Sequence, residues 1–195
     1  MKKSLILFLA TLITISISAQ EKKTKTGWSL GGILPAVSFD SNLGFQYGVL
    51  FEFMNYGDPS IYPEWYDHTY TEVSRTTRGS GIYRMMYESN HLIPGVEFIS
   101  DLSYLPDQAY HFYGFNGYES VFNKDWMDNE AADYRSAMFY RIQRNQFRFK
   151  TDFLGRLSGD HFKWTAGFAF QNFSISSVNI DKLNKGRKDE LPSVT

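Results

Sequence analysis

The sequence predicts an all-β fold, in which an antiparallel meander of about eight strands forms a transmembrane β-barrel. Three observations predict it. Aromatic residues make up 17% of the 195 residues, and bulky aromatic side chains favour strands. Apolar and polar residues alternate with a period of two along most of the chain. Several alternating runs reach the roughly 9–11 residues that cross a bilayer at a tilt, whereas ordinary strands have about 5–6.

The N-terminal residues have the pattern of an export signal. Two lysines precede the apolar run Leu5–Ile15, and small residues follow as far as Ala19. This pattern is typical of a secretory signal peptide, so we expect residues 1–19 to be cleaved. The run is shorter than the about 20 apolar residues of a spanning helix. Residues 20–27 form a short N-terminal segment, and the mature chain would enter a membrane only with strands.

Eight runs form the predicted meander. They are 28–39, 45–56, 67–78, 81–89, 95–105, 133–143, 146–157 and 161–174. Turn residues separate neighbouring runs, among them Asp40 to Gly44, Gly79 to Gly81, Arg144-Asn145 and Ser158 to Asp160. Short connections between consecutive strands predict antiparallel pairing within the region 28–174.

The run 67–78 is the least regular of the eight. Its even positions include Glu72, and its odd positions include Arg75. An outward even face would put Glu72 near the middle of the bilayer, whereas an outward odd face puts Arg75 closer to an end. A charge costs about 2–4 kcal/mol at the midplane and about 0–1 kcal/mol near the interface for Arg or Lys. We therefore predict that the odd positions face outward.

Alternation divides the strand residues into two predicted surfaces. The lipid-facing set is aromatic and comprises Phe51, Phe53, Phe147, Phe149, Phe153, Trp164 and Phe168. The lumen-facing set carries charges of both signs and comprises Glu52, Arg141, Arg148, Lys150, Asp152, Arg156 and Lys163. Mixed charges suit a hydrated, salt-bridged lumen, where these residues would determine selectivity or plug contacts.

Two segments lack the alternation. Residues 106–132 are predicted to be a long ordered loop, and residues 175–195 a charged loop or tail. Barrels of this kind usually end in a strand with a terminal aromatic residue, and Thr195 fits neither requirement. We therefore expect these strands to be the front part of a longer barrel.

Two stretches resemble the BamA/TamA surface-antigen superfamily of outer-membrane barrels. Leu34 to Gly48 resembles its first hairpin, with a Pro-led strand, a polar turn ending in Gly and a Gly-bearing second strand. Phe112 to Gly117, followed by Asp133-Tyr134-Arg135, resembles a Phe-Tyr-Gly segment and its downstream strand. The resemblance implies a location in the cell outer membrane and a role in outer-membrane protein assembly or transport.

The chain also departs from that superfamily. The region between Gln20 and Gly27 has no room for the periplasmic modules that precede the barrel, and the Val-Arg-Gly-aromatic motif of the lumen loop is absent. The expected partners are outer-membrane lipids and the barrel-assembly machinery during insertion, while the client proteins stay unspecified.

Composition argues against several other classes of protein. The formal net charge of −1 gives no electrostatic reason to expect nucleic acid as a partner. The absence of cysteine excludes disulfides, thiolate metal sites and a cysteine nucleophile. The four histidines are scattered over different elements, and the acidic stretch 125–133 lacks the spacing of an EF-hand loop. We expect no enzymatic site, no metal and no cofactor.

Three alternatives stay open from the sequence. A small stand-alone barrel would serve as a structural or adhesion protein and would close at eight strands. A secreted soluble β-sandwich would bury the apolar faces between two sheets. A barrel lipase would show calcium-dependent acyl hydrolysis.

Overall fold

The computed structural model describes residues 24–114, 121–158 and 162–193. The predicted signal peptide, residues 1–19, lies outside these residues. The described residues form one antiparallel sheet of seven strands in the order β1 to β7, each strand paired with its neighbour in sequence. The predicted all-β antiparallel meander is therefore confirmed. In the described sheet β1 and β7 are the two edges, so the sheet is open.

The strands are long. Their bounds are β1 Trp28–Asp40, β2 Gly44–Asn55, β3 Asp67–Thr76, β4 Gly81–Ile93, β5 Val96–His111, β6 Arg141–Ser158 and β7 Phe162–Ser176. Short 3-10 helices lie at Pro59–Ile61 and Lys124–Trp126, and one short α-helix, α1, spans Ile180–Asn184. Every strand has at least 10 residues.

Turn chemistry explains why the first hairpin forms where the sequence predicts it. Asp40 ends β1, and its Oδ1 accepts hydrogen bonds from the backbone N of Asn42 at 2.7 Å and of Leu43 at 2.8 Å. Gly44 then starts β2 with a φ of 83°, a conformation that side-chain-bearing residues rarely adopt. An Asx turn followed by such a glycine reverses the chain and fixes the pairing of β1 with β2.

One predicted strand and one predicted turn are wrong. Residues 133–140 are not a strand, and Arg144-Asn145 lies inside β6, which runs unbroken for 18 residues. The apparent alternation of Tyr134, Met138 and Tyr140 has another cause. Met138 is fully buried in a loop core, and the Tyr140 ring packs against Trp126 and Phe139. Packing within a loop therefore produced an alternation like that of a strand. The described sheet has seven strands instead of the eight predicted.

The structure also differs from the predicted loop and tail. Strand β5 continues to His111, with an irregularity in its pairing to β6 between Asp107 and Tyr110. The chain after β7 is folded, because Asn179 caps α1 and Leu183 is fully buried. A bulge hides the alternation of β5 from a sequence reading, and the charged residues around Leu183 mask the apolar side of α1.

A compact hydrophobic core lies at one end of the sheet. It consists of Ala109, Met138, Leu183 and Leu191. We call the structure around it the cap, which comprises the β5–β6 connection, residues 112–114 and 121–140, and the segment after β7, residues 177–193. The cap adjoins the strand ends where the β1–β2 and β3–β4 turns lie, and the other end carries the β4–β5 and β6–β7 hairpins.

Candidate functional site: the two faces of the sheet

The pairing register sorts the strand residues into two faces of opposite chemistry. On one face a row across the whole sheet reads Ile33, Phe51, Thr71, Met85, Leu102, Phe149 and Phe170. On the other face a row reads Leu34, Leu50, Glu72, Arg84, Ser103, Arg148 and Gln171. We call the first the aromatic face and the second the polar face.

The aromatic face is exposed. Phe168 is 58% exposed and Tyr47 is 51% exposed, and many of their large apolar neighbours are similarly open. Neighbouring rings on this face contact each other, as for Phe98 and Phe153, whose centroids are 5.2 Å apart. An exposed apolar surface extending over seven strands far exceeds the scattered apolar residues of an ordinary protein surface.

The polar face is the more enclosed of the two. Ser74 and Ser103 are each 1% exposed, and Asp101 is 7% exposed. The described residues form a single sheet, so no second sheet in them covers these side chains. Long neighbouring side chains contribute to this enclosure, since Gln46 contacts Ser74, and Arg84 and Arg148 contact Asp101.

An ion-pair network lies at the centre of the polar face. Arg84 binds Asp101 through Nε at 2.9 Å and Nη2 at 2.5 Å. Arg148 donates from Nη2 to both carboxylate oxygens of Asp101, at 3.1 and 3.2 Å, and Ser103 Oγ also donates to this carboxylate. Two guanidiniums and one hydroxyl satisfy a carboxylate that burial would otherwise destabilise.

A second polar chain lies beside this network. The Tyr70 hydroxyl donates to Glu72 Oε2 at 2.8 Å, and Ser74 Oγ donates to Glu72 Oε1 at 3.4 Å. Gln46 Nε2 donates to Ser74 Oγ at 2.9 Å. These contacts confirm that the even positions of β3 share a face with charged residues. The odd positions share the aromatic face, since Thr71 pairs with Phe51.

Most of the residues predicted to line a lumen do lie on the polar face. Glu52 and Lys150 lie in one row, and Arg148 and Asp152 lie in the polar-face rows on either side of it. Lys150 Nζ is 2.6 Å from Asp152 Oδ2. Arg156 and Lys163 pair with each other near the β6–β7 hairpin, away from the central network.

Arg141 is the exception among these residues. Arg141 is the first residue of β6, and its odd position places it on the aromatic face with Phe147 and Phe149. Its Nη1 donates a hydrogen bond to the Ala109 carbonyl at 2.8 Å. The prediction that Arg141 faces a lumen was wrong because the sequence assigned it to a separate strand, 133–143, whereas it belongs to β6.

The residues predicted to face lipid all lie on the aromatic face. They are Phe51, Phe53, Phe147, Phe149, Phe153, Trp164 and Phe168. Trp164 has an additional role because its indole lies across Gly155, where any Cβ would collide with the ring. An aromatic side chain that covers a strand glycine stabilises the pairing of the two strands.

Two arginines bind the β1–β2 turn, Arg78 from the β3–β4 turn and Arg187 from the cap. Arg78 Nη1 donates to the carbonyls of Ser41 and Asn42 at 2.8 and 2.9 Å, and Arg187 Nη1 donates to the same Ser41 carbonyl at 2.9 Å. Burial, together with the nearby Arg187, lowers the pKa of the Arg78 guanidinium from its ordinary value. The Arg187 contact fastens the segment after β7 onto the β1–β2 turn, and no feature of the sequence indicated these contacts.

Within the described ranges no group of three or more His, Asp or Glu side chains is arranged to hold a metal ion. His68 lies between Glu52 and Glu88 at 3.6 and 3.9 Å, whereas His91 stacks on Tyr66 and His111 on Tyr113. None of the helices in the described part of the chain has the length and apolar character to span a bilayer.

Comparison with known proteins adds no relative. No protein-family model matches the chain, and neither a curated protein nor a solved structure matches it.

Proposed function

We propose that this protein is an outer-membrane β-barrel protein of the BamA/TamA type that takes part in the assembly or transport of outer-membrane proteins. The inverted burial of the sheet is the observation that carries the membrane part of the proposal. Apolar side chains are exposed on one face, while the enclosed face holds a satisfied ion-pair network. A lipid-facing aromatic surface around a polar interior is the construction of transmembrane barrels.

Strand length and topology support the same proposal. All seven strands reach the roughly 9–11 residues needed to cross a bilayer at a tilt, and each pairs with its sequence neighbour in an antiparallel meander. In lipid the two edges of the described sheet must find hydrogen-bond partners, because an open edge is too costly there. The soluble β-sandwich is less well supported, since the described residues supply no second sheet to cover the aromatic face.

The role in assembly or transport rests on sequence resemblance. The stretch Leu34 to Gly48, which carries that resemblance, forms most of the β1–β2 hairpin with its Asx turn. Phe112 to Gly114 leads out of β5, and residues 133–135 lie in the cap. The hairpin is therefore the segment on which the proposed assembly role depends.

Membrane fractionation of the producing cells tests the first part. We expect the protein in the outer-membrane fraction, resistant to carbonate extraction and shifted in gel mobility by heating, as closed barrels are. Recovery in the periplasm without detergent would contradict the proposal.

Depletion of the protein tests the second part. If the protein assembles other barrels, its depletion lowers the amounts of other outer-membrane proteins. Unchanged levels of those proteins would reject the assembly role and leave a structural or adhesion barrel.

A further inference from the structure

A cationic cleft opens at the capped end of the aromatic face. It has a volume of about 480 Å³. Its lining residues include Arg75, Tyr83, Tyr104, Pro106, Gln108 and Lys182. The two charged members are both cations, and no lining residue is acidic. The cleft therefore favours an anionic ligand.

Strand register explains why a depression forms here. Arg75 pairs with Gly81, which has no side chain, and Pro106 pairs with Asn145. Above this row the Lys182 side chain lies over Gly79, where any Cβ would collide with its Cε and Nζ. Gly79 has a φ of 98°, so both its backbone conformation and the space around it require glycine.

The polar groups of the cleft are incompletely paired. Within the part of the chain that the structure describes, Arg75 and Lys182 form no ion pair. Gln108 is 3% exposed, and its Oε1 has no hydrogen-bond partner among the described residues. Two unneutralised cations beside a buried amide acceptor suit a ligand that brings both an anion and a donor group.

The cleft is continuous with the aromatic face. Tyr83 and Tyr104, which pair across β4 and β5 with ring centroids 6.1 Å apart, form its lower wall. The next row towards the middle of the sheet holds Met85 and Leu102, which are both exposed. Tyrosines at the border between an apolar band and cationic residues are typical of a membrane interface.

We propose that this cleft binds the phosphorylated headgroup of a membrane lipid whose acyl chains lie along the aromatic face below it. Arg75 and Lys182 contact the phosphate, and Gln108 accepts a hydrogen bond from a headgroup hydroxyl or ammonium. The inference rests on the proposed membrane location, because a lipid reaches this face only if the face lies in a bilayer.

Binding of phosphatidylglycerol to the purified full-length protein in neutral detergent tests the proposal, with native mass spectrometry to count bound lipids. The test variant is Arg75→Gln combined with Lys182→Gln. The matched control, Lys124→Gln combined with Lys185→Gln, removes the same charge from exposed positions outside the cleft. We expect the test variant to bind the lipid at least about tenfold more weakly, and the control to bind as the unmodified protein does.

Two outcomes would overturn the inference. Equal lipid binding by the test variant and the unmodified protein would show that the cleft does not hold the headgroup. Binding of inorganic phosphate, without binding of phosphatidylglycerol, would show a site for a soluble anion instead.

Flotation with phosphatidylcholine vesicles separates this inference from the proposed function. If the unmodified protein does not float, the membrane location itself is wrong. If all the variants float but the two double variants bind phosphatidylglycerol equally, only the lipid site is wrong.

Discussion

The sheet and the cap bury opposite kinds of side chain. The cap encloses Met138, Leu183 and Leu191 in a small apolar core, as a protein in water does. The sheet instead encloses Asp101 and Ser103 and exposes its aromatic residues. Under the proposed membrane location, this difference corresponds to two surroundings: water around the cap and lipid around the aromatic face.

Phe149→Arg should break the comparison most severely. Phe149 lies in the middle row of the aromatic face, opposite Leu102 and Phe170. An arginine near the midplane of a bilayer costs about 2–4 kcal/mol. We expect the variant to be lost from the outer-membrane fraction in a fractionation and immunoblot assay. Normal membrane levels of this variant would mean that the face does not meet lipid.

Leu183→Ala should disturb the cap alone. Leu183 is fully buried against the apolar core, so truncation to alanine costs about 2–3 kcal/mol, in the lower part of the usual range because a small cap can relax. We expect limited proteolysis to cut within residues 177–193 faster, with membrane levels unchanged. The exposed Lys185→Ala is the control and should be cut at the normal rate. A loss of membrane insertion would show that the cap and the sheet are not independent.

Asp101→Asn should lower the stability of the sheet without changing its location in the membrane. The substitution removes the charge that Arg84 and Arg148 share, at an expected cost of about 1–2 kcal/mol because both guanidiniums keep partial access to water. The heating temperature that abolishes the compact gel band should fall. Asp152→Asn is the matched control, since its partner Lys150 is half exposed. An equal fall for both variants would argue against a special role of the central network.

Arg148→Gln should have the smallest effect. Arg84 and Ser103 continue to bind Asp101, and glutamine can still donate a hydrogen bond on the polar face. We expect less than about 1 kcal/mol of destabilisation and normal membrane levels in the same fractionation assay. If this variant were lost as completely as Phe149→Arg, the two faces of β6 would not differ in their surroundings.

The sequence predicted the parts of the fold that depend on local patterning. Alternation identified all seven described strands and both faces of β6, and the Asp40 to Gly44 turn is visible as turn chemistry. It failed where tertiary packing decides. Met138 and Tyr140 alternate because they pack into the cap, and the bulge near Asp107 conceals the end of β5.

The candidate sites were predictable to different degrees. Period-two alternation placed Arg148 and Lys150 on the polar face, because a strand sends successive side chains to opposite sides. The ion pair between Arg84 and Asp101 depends on the pairing register between β4 and β5, which the alternation within one strand does not reveal. The cleft of Arg75 and Lys182 joins residues more than a hundred positions apart, so only the folded chain reveals it.

A cysteine scan along β6 tests the central claim most directly. The chain contains no cysteine, so single replacements at positions 147–152 each carry one spin label in the protein reconstituted into vesicles. Labels at odd positions should collide mainly with oxygen, which concentrates in lipid, and labels at even positions mainly with a water-soluble nickel chelate. Such alternation with a period of two is the predicted result. Equal access to the chelate at odd and even positions would contradict the proposal that the aromatic face lies in a membrane.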